Sequence, residues 1–212
     1  FCQLFFAESI ASSSHDHEID VVNIQEPDPT ILVDLRYSPK NNFLKKDMYG
    51  DLGECFLRRK PAEMLCQANE HLKASFPELR LHVFDGLRTR SVQKKLWDAL
   101  DTIPISLRTQ FVADPKKGSI HNYGAAVDLA LSLENGSELD MRTEYDHFGA
   151  LAFPALEDSL LALGKLKDKQ IENRTILRKI MTKTGFSTID SEWWHFDAFS
   201  YNETKNKYTI VE

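Results

Sequence analysis

The chain has 212 residues, enough for one domain with a buried core and a cleft beside it. Hydrophobic residues make up 42% and charged residues 27%, a globular balance that excludes a disordered chain. Thirty-two acids against 26 Lys and Arg leave a net charge of −6, which argues against a nucleic-acid partner, since phosphates call for a basic face.

The opening Phe1-Cys2-Gln3-Leu4-Phe5-Phe6-Ala7 is apolar, and after Glu8 it gives way to Ser9-Ile10-Ala11-Ser12-Ser13-Ser14. This reads as the remnant of a secretory signal or, alternatively, as an ordinary hydrophobic N-terminal segment. The first reading implies a periplasmic or exported protein; the second leaves a cytoplasmic one open. Residues 1–18 are therefore treated as a tail and 19–212 as a single domain. His15-Asp16-His17-Glu18 reads as solvated linker, with loose metal binding as the alternative. No run approaches the ~20 apolar residues that span a bilayer, so stable membrane insertion is not expected.

Ile31 to Tyr37 reads as a short strand, stopped by Ser38-Pro39 and followed by a turn-rich loop to Asp51. Pro61 opens a helical pattern with a stripe of Ala62, Leu65, Cys66, Ala68, Asn69 and Leu72, which Pro77 ends. Leu79, Leu81 and Val83 alternate with Arg80, His82 and Phe84, predicting a half-buried strand. Asp85-Gly86 breaks it, and Ser91 is the expected N-cap of a helix to about Leu100. After the loop Lys116-Lys117-Gly118, a strand is expected from Gly124 to Leu133 with Ala126, Val127, Leu129 and Leu131 in the core. A polar loop over 134–148 turns at Gly136, helices follow near 150–164 and 172–183, and Gly185 closes the second. Glu192 to Phe199 is the expected final strand. Cys2, Cys55 and Cys66 are too few for a disulfide framework. Cys55 and Cys66 can pair if the protein is exported, but burial preference favours two small, half-buried thiols. The fold class is α+β, a small, mainly antiparallel sheet with helices packed over it.

Two segments carry chemistry. In Ser119-Ile120-His121-Asn122-Tyr123-Gly124-Ala125-Ala126-Val127-Asp128, small residues between His121 and Asp128 allow a tight bend that turns imidazole and carboxylate towards one point. Both are good zinc donors. In Glu192-Trp193-Trp194-His195, strand alternation would set Glu192 and His195 on opposite faces, so the chain must twist there for both to serve one site. Two His and one Asp leave a fourth position open for water, the mark of a catalytic zinc, and Glu192 is the candidate base. Trp193 and Trp194 are expected to pack as walls.

Ser119-x-His121-x-x-Gly124-x-Ala126-x-Asp128 followed by Glu192-x-Trp194-His195 resembles the D-alanyl-D-alanine dipeptidase family of zinc peptidases, from about Ile31 to about Phe199. Asp34-Leu35-Arg36-Tyr37 with Asn42-Phe43 resembles the family's early motif, and Asp85-Gly86-Leu87-Arg88 its arginine segment. Asn173-Arg174 through Met181, then Gly185-Phe186, resembles the stretch leading into Glu-Trp-Trp-His. The resemblance implies one zinc per chain on His121, Asp128 and His195, Glu192 as general base, and Arg88 as the cation facing the oxyanion. It also implies that Asp146 and Ser119 hold the free amino end of a small D,D-dipeptide. Leu87 and Thr89 depart from the Tyr and Pro usual around that arginine, and the loop after Asp140 differs in length. The rival readings are a zinc D,D- or L,D-carboxypeptidase acting on peptidoglycan stems and a non-catalytic module binding cell-wall peptides. A signal-like start favours wall turnover over glycopeptide resistance.

Overall fold

The computed structural model of the chain describes residues 20–38, 42–50 and 52–212, so the expected tail, Cys2 and the His15–Glu18 stretch lie outside the described residues. Among these residues the strands are β1 (Val21–Asn23), β2 (Leu32–Val33), β3 (Phe56–Arg58), β4 (Leu79–Asp85), β5 (Ala126–Leu133), β6 (Ser187–Thr188) and β7 (His195–Asp197). The helices are α1 (Arg59–Ser75), α2 (Arg90–Ala99), α3 (Ile105–Arg108), α4 (Glu157–Ala162), α5 (Asp168–Lys183) and α6 (Tyr201–Lys207). One five-stranded sheet has the order β2-β4-β5-β7-β6, and β1 pairs with β3 apart from it. Only β2 and β4 run parallel; the other pairs are antiparallel, so the expected α+β class with a mainly antiparallel sheet is what the chain forms.

The pleat divides the labour. Successive side chains leave a strand on opposite faces, so Leu81, Val83, Val127, Leu129, Leu131 and Phe196 share one side, where α1 and α5 pack and all six are fully or almost fully buried. In α1, Pro61 sits in the first turn, where its missing N–H costs nothing, and the buried stripe runs through Ala62, Met64, Leu65, Ala68 and Leu72. Cys66 is only partly buried, and both it and Cys55 are free thiols. Asn69 is polar yet fully buried because its amide is used twice. It accepts from the Leu81 N–H at 3.1 Å and donates to Asp28 at 2.8 Å.

Several expected elements take a different form. β4 is covered on both faces rather than half-buried. His82 and Phe84 are enclosed because Tyr145 and the Arg36 guanidinium lie over Phe84, and Ser132 pairs with His82 at 2.8 Å. The cap of α2 is Thr89, not Ser91; the Thr89 hydroxyl accepts from the Val92 N–H. The helix expected over 150–164 breaks into two single 3₁₀ turns, Ala150–Ala152 and Pro154–Leu156, before the short α4, since Pro154 cannot continue a helix. The strand expected over 31–37 shortens to the two residues of β2. The last strand keeps only His195–Asp197, because the chain bends through Ser191–Trp194. Residues 105–108, 187–188 and 201–207 form elements that periodicity did not announce; each is too short for a pattern to develop. No helix among the described residues is long and apolar enough to cross a membrane.

Beneath the 140–151 loop, α5 carries polar residues on its buried side. Arg174 donates to the carbonyl of Met141 at 3.0 and 2.6 Å, to that of Leu151 at 2.8 Å, and to Glu157 at 3.3 Å. Asn173 donates to the Asp140 carbonyl and Gln170 to the Asp140 carboxylate. Arg174→Ala therefore strips partners from two carbonyls and weakens the hold on Glu157. A loss of about 3 kcal/mol is expected, read as a lower urea midpoint at unchanged m-value; a midpoint within error of the parent would show that the loop does not depend on this anchor.

Candidate metal centre

Register assembles the site. In the ladders of β5, Asp128 stands opposite Asp85 of β4 on one side and opposite His195 of β7 on the other. A bulge at Phe84 in β4 shifts the pairing by one residue and turns Asp85 onto the face that carries Asp128. His121 arrives from the 3₁₀ turn Ile120–Tyr123 just before β5. Gly124 ends that turn in the left-handed region (φ 71°), which favours glycine, and a Cβ there would also stand tightly, 3.3 Å from the Arg58 nitrogen. This is the bend expected between His121 and Asp128.

The three expected donors converge. His121 Nε2 lies 3.2 Å from His195 Nδ1 and 3.4 Å from Asp128 Oδ1, and His195 Nδ1 lies 2.9 Å from Asp128 Oδ1. Ligands about 2.0–2.1 Å from a tetrahedral metal are separated by roughly 3.3 Å, so the triangle already has the dimensions of a coordination face. The outer nitrogens are committed elsewhere. His121 Nδ1 donates to the Gly86 carbonyl at 2.8 Å, and His195 Nε2 faces Asp197 Oδ1 at 2.9 Å. A carbonyl can only accept, so the proton of neutral His121 is on Nδ1 and Nε2 keeps its lone pair. Carboxylate and carbonyl partners of this kind orient imidazole ligands. A Cβ on Gly86 would fall 2.5 Å from Cys55 Sγ, so the carbonyl that holds His121 also depends on a missing side chain.

The charged residues of the cluster perturb one another. Burial opposes ionisation of Asp128, but His121 and His195 outweigh it and hold the carboxyl far below its usual range. Burial likewise opposes charging His195, yet its hydrogen bonds to Asp128 and Asp197 win and raise it well above an ordinary histidine. Glu192, whose side chain is 39% exposed, stands with Oε2 3.9 Å from His195 Nδ1. Loss of water pushes its carboxyl up, His195 opposes this and nearby Asp128 adds to it. The bend through Ser191–Trp194 is what lets Glu192 and His195 serve one point.

Arg88 is buried beside this cluster, with Nη2 4.0 Å from Asp128 Oδ2. Asp85 takes its Nε at 2.9 Å and also binds Nη2, Gln93 takes Nη1 at 3.1 Å, and the Tyr37 ring lies beneath at 4.9 Å. The absent Pro after Arg88 does not leave it loose, because Asp85, Gln93 and the Thr89 cap fix the segment. Asp146, in the left-handed region (φ 60°), accepts the Tyr37 hydroxyl at 2.8 Å. Burial raises its carboxyl well above the usual value, with the Tyr37 hydrogen bond pulling the other way. Ser119 is tied in through its neighbours: its N–H donates to Asn122 Oδ1, and Asn122 donates to the Arg88 carbonyl. The Ser119 hydroxyl is buried without a hydrogen-bond partner. His147 is exposed at the mouth of a cleft of about 570 Å³ walled by Phe111, Phe148, Phe153, Glu192 and Trp194.

Sequence reasoning had assigned no role to Asp85, Asp197, Tyr37, Tyr49 or Tyr145. Tyr49 donates to Asp85 Oδ1, and Tyr145 donates to Asp128 Oδ2 at 3.0 Å. Asp197 had a signal, since residue i+2 of a strand shares the face of His195. Tyr49 and Tyr145 had none, because they come from irregular loops; Tyr37 stood only as the last residue of the Asp34–Tyr37 motif.

A protein-family model described as D-ala-D-ala dipeptidase (Peptidase M15) matches residues 17–210. A D-alanyl-D-alanine dipeptidase of Escherichia coli K12 is 31% identical over 169 residues, 80% of this chain and 79% of its own. A D-alanyl-D-alanine dipeptidase of a Synechocystis species is 26% identical over 200 residues, covering 76% of this chain and 81% of its own. A solved structure of the LdcB LD-carboxypeptidase has a TM-score of 0.46 at 19% identity, over 88% of this chain and 71% of that one.

If His195 is a metal ligand, a divalent ion has to displace the proton that hydrogen bonds to Asp128 and Asp197 favour on it. Binding near neutral pH is expected to release about one proton, with affinity falling up to about tenfold per unit as pH drops and levelling off above the raised His195 pKa. Calorimetry in buffers of different ionisation enthalpy reads the proton directly. Binding that ignores both buffer and pH would remove His195 from the ligand set.

Proposed function

The chain belongs to the D-Ala-D-Ala dipeptidase family of peptidases, and from that premise we propose that it is a zinc enzyme hydrolysing D-Ala-D-Ala or a closely similar D,D-dipeptide in peptidoglycan precursor or turnover metabolism. The observation that carries the reading is the donor triangle of His121, Asp128 and His195, with a carboxylate and a guanidinium at its edge. Nitrogen and oxygen donors at these separations suit zinc, and three protein ligands leave a position open. When bound, zinc supplies a Lewis acid that brings the pKa of water down to about 7.

The remaining chemistry belongs to side chains. Glu192 accepts a proton from the attacking water and passes it to the leaving amino nitrogen as the C–N bond breaks. Arg88 faces the carbonyl oxygen as negative charge develops there, and its fixed partners mean that no reorganisation is needed at that moment. Asp146, oriented by Tyr37, receives the free ammonium of the dipeptide, and the unpartnered Ser119 hydroxyl adds a hydrogen bond to the bound substrate. The acidic side chains of Asp85, Asp128, Asp146, Glu192 and Asp197 outnumber the Arg88 guanidinium, a surround that suits a divalent cation and an ammonium.

The deciding experiment is a D-Ala release assay on zinc-loaded protein with D-Ala-D-Ala, its N-acetylated form and a pentapeptide stem, each with and without chelator. Chelator-sensitive cleavage of the free dipeptide alone is expected; cleavage of the blocked or longer peptides would make the protein a carboxypeptidase, and no cleavage would make it a binding module. Glu192→Ala is expected to keep zinc and fold while losing roughly two to four orders of magnitude in kcat. A near-parental rate in that variant would place the base elsewhere.

A further inference from the structure

We infer that Tyr145 is a positioning residue for the metal centre: its hydroxyl clamps the outer oxygen of Asp128, so that the inner oxygen alone is presented with the two imidazoles. The inference rests on the ligand set proposed above.

The two oxygens of Asp128 face different groups. Oδ1 lies 2.9 Å from His195 Nδ1 and 3.4 Å from His121 Nε2, whereas Oδ2 accepts the Tyr145 hydroxyl at 3.0 Å. The nearest rival for Oδ2 is Arg88 Nη2 at 4.0 Å. Without the phenol, rotation of the carboxylate towards that guanidinium would draw Oδ1 out of the donor triangle. Tyr145 therefore separates the carboxylate from Arg88 and leaves the guanidinium charge for the substrate.

The ring is fixed well enough for this task. It packs against Tyr37 at 6.0 Å, Phe84 at 5.6 Å and Trp194 at 5.6 Å, all tilted or edge-on. Its chain neighbour is Asp146, in the left-handed region, and the two line a common pocket with Arg36, Phe43 and Phe148. Tyr37 then completes a loop of contacts, with its ring on Tyr145 and its hydroxyl on Asp146. One dipeptide segment thus serves the metal ligand with one side chain and the substrate's amino end with the other.

The test is Tyr145→Phe in the full chain, which removes one hydroxyl and keeps the ring, set beside Asp146→Asn. Zinc affinity is read by chelator competition without substrate, kcat and KM are read on D-Ala-D-Ala, and folding is checked by Tm. Tyr145→Phe is expected to weaken zinc binding and lower kcat, each by about tenfold to a hundredfold, with KM near parental. Asp146→Asn is expected to do the reverse, raising KM and leaving zinc affinity unchanged. Parental zinc affinity and kcat in Tyr145→Phe would overturn the inference, as would a lowered Tm with both unchanged. Since zinc affinity is measured without substrate, a failure of the dipeptidase reading appears separately, as parental protein that holds zinc but releases no D-Ala.

Discussion

The ladders that set Asp128 opposite Asp85 and His195 place three ionisable residues in a row across neighbouring strands, which lie about 4.8 Å apart. That spacing is what lets a carboxylate on the central strand meet an imidazole on one neighbour and, through Asp85, a guanidinium near the other. The same pleat commits Val127 and Leu129, on either side of Asp128, to the opposite face and the apolar core. A slip of one residue in β5 would send Asp128 into that core and Leu129 into the cleft. The donor geometry and the packing of α1 and α5 are thus two consequences of one register, and the bulge at Phe84 is the local adjustment that brings Asp85 onto the same face.

A row of charges inside a protein is costly unless each is answered, since the effective penalty for burying an unpaired ion is several kcal/mol. The answers here are specific. Asp85 takes Arg88, the Tyr49 hydroxyl and the Gly86 N–H. Asp128 takes Tyr145 on one oxygen and His195 on the other, and Asp197 takes His195 from outside. Each partner also fixes an orientation, so satisfying the electrostatics and preorganising the site are one act. The groups left with spare capacity, Glu192, Asp146 and the Ser119 hydroxyl, are those assigned to act on water or substrate.

The donor triangle was legible in the sequence because His121, Asp128 and His195 lie on or beside regular strands, where small residues and period-two alternation constrain direction. Arg88 was legible only through the resemblance, and the Thr89 cap that steadies it was misplaced by two residues because Ser91 is an equally good capping type. β4 misled for a related reason. Its alternation was real, but the second face is covered by Arg36 and Tyr145 from distant loops, which a pattern within one segment does not report. Tyr49 and Tyr145 were invisible for the same cause, and Tyr37 was visible only as part of a motif with no role attached. Tyr37, Tyr49 and Tyr145 reach the site from irregular backbone, and which loop closes over a sheet is decided by tertiary contacts.

Those contacts give the Asn173-Arg174 motif its purpose. Arg174 is fully buried without approaching the donor triangle; its hydrogen bonds grip the carbonyls at both ends of the stretch that carries Tyr145 and Asp146. Trp193 adds a second tie, donating to Thr143 at 2.7 Å while its ring lies against the Arg174 guanidinium. The donor triangle is therefore built on and beside strands, whereas the group proposed to recognise the amino end sits on a loop fastened from beneath by a helix. A loop of that kind can change length or side chains without disturbing the register on which the donors depend. On this reasoning, if the chain prefers a free dipeptide as proposed, that preference is set by the fastened loop, whereas the proposed donor set is set by the sheet.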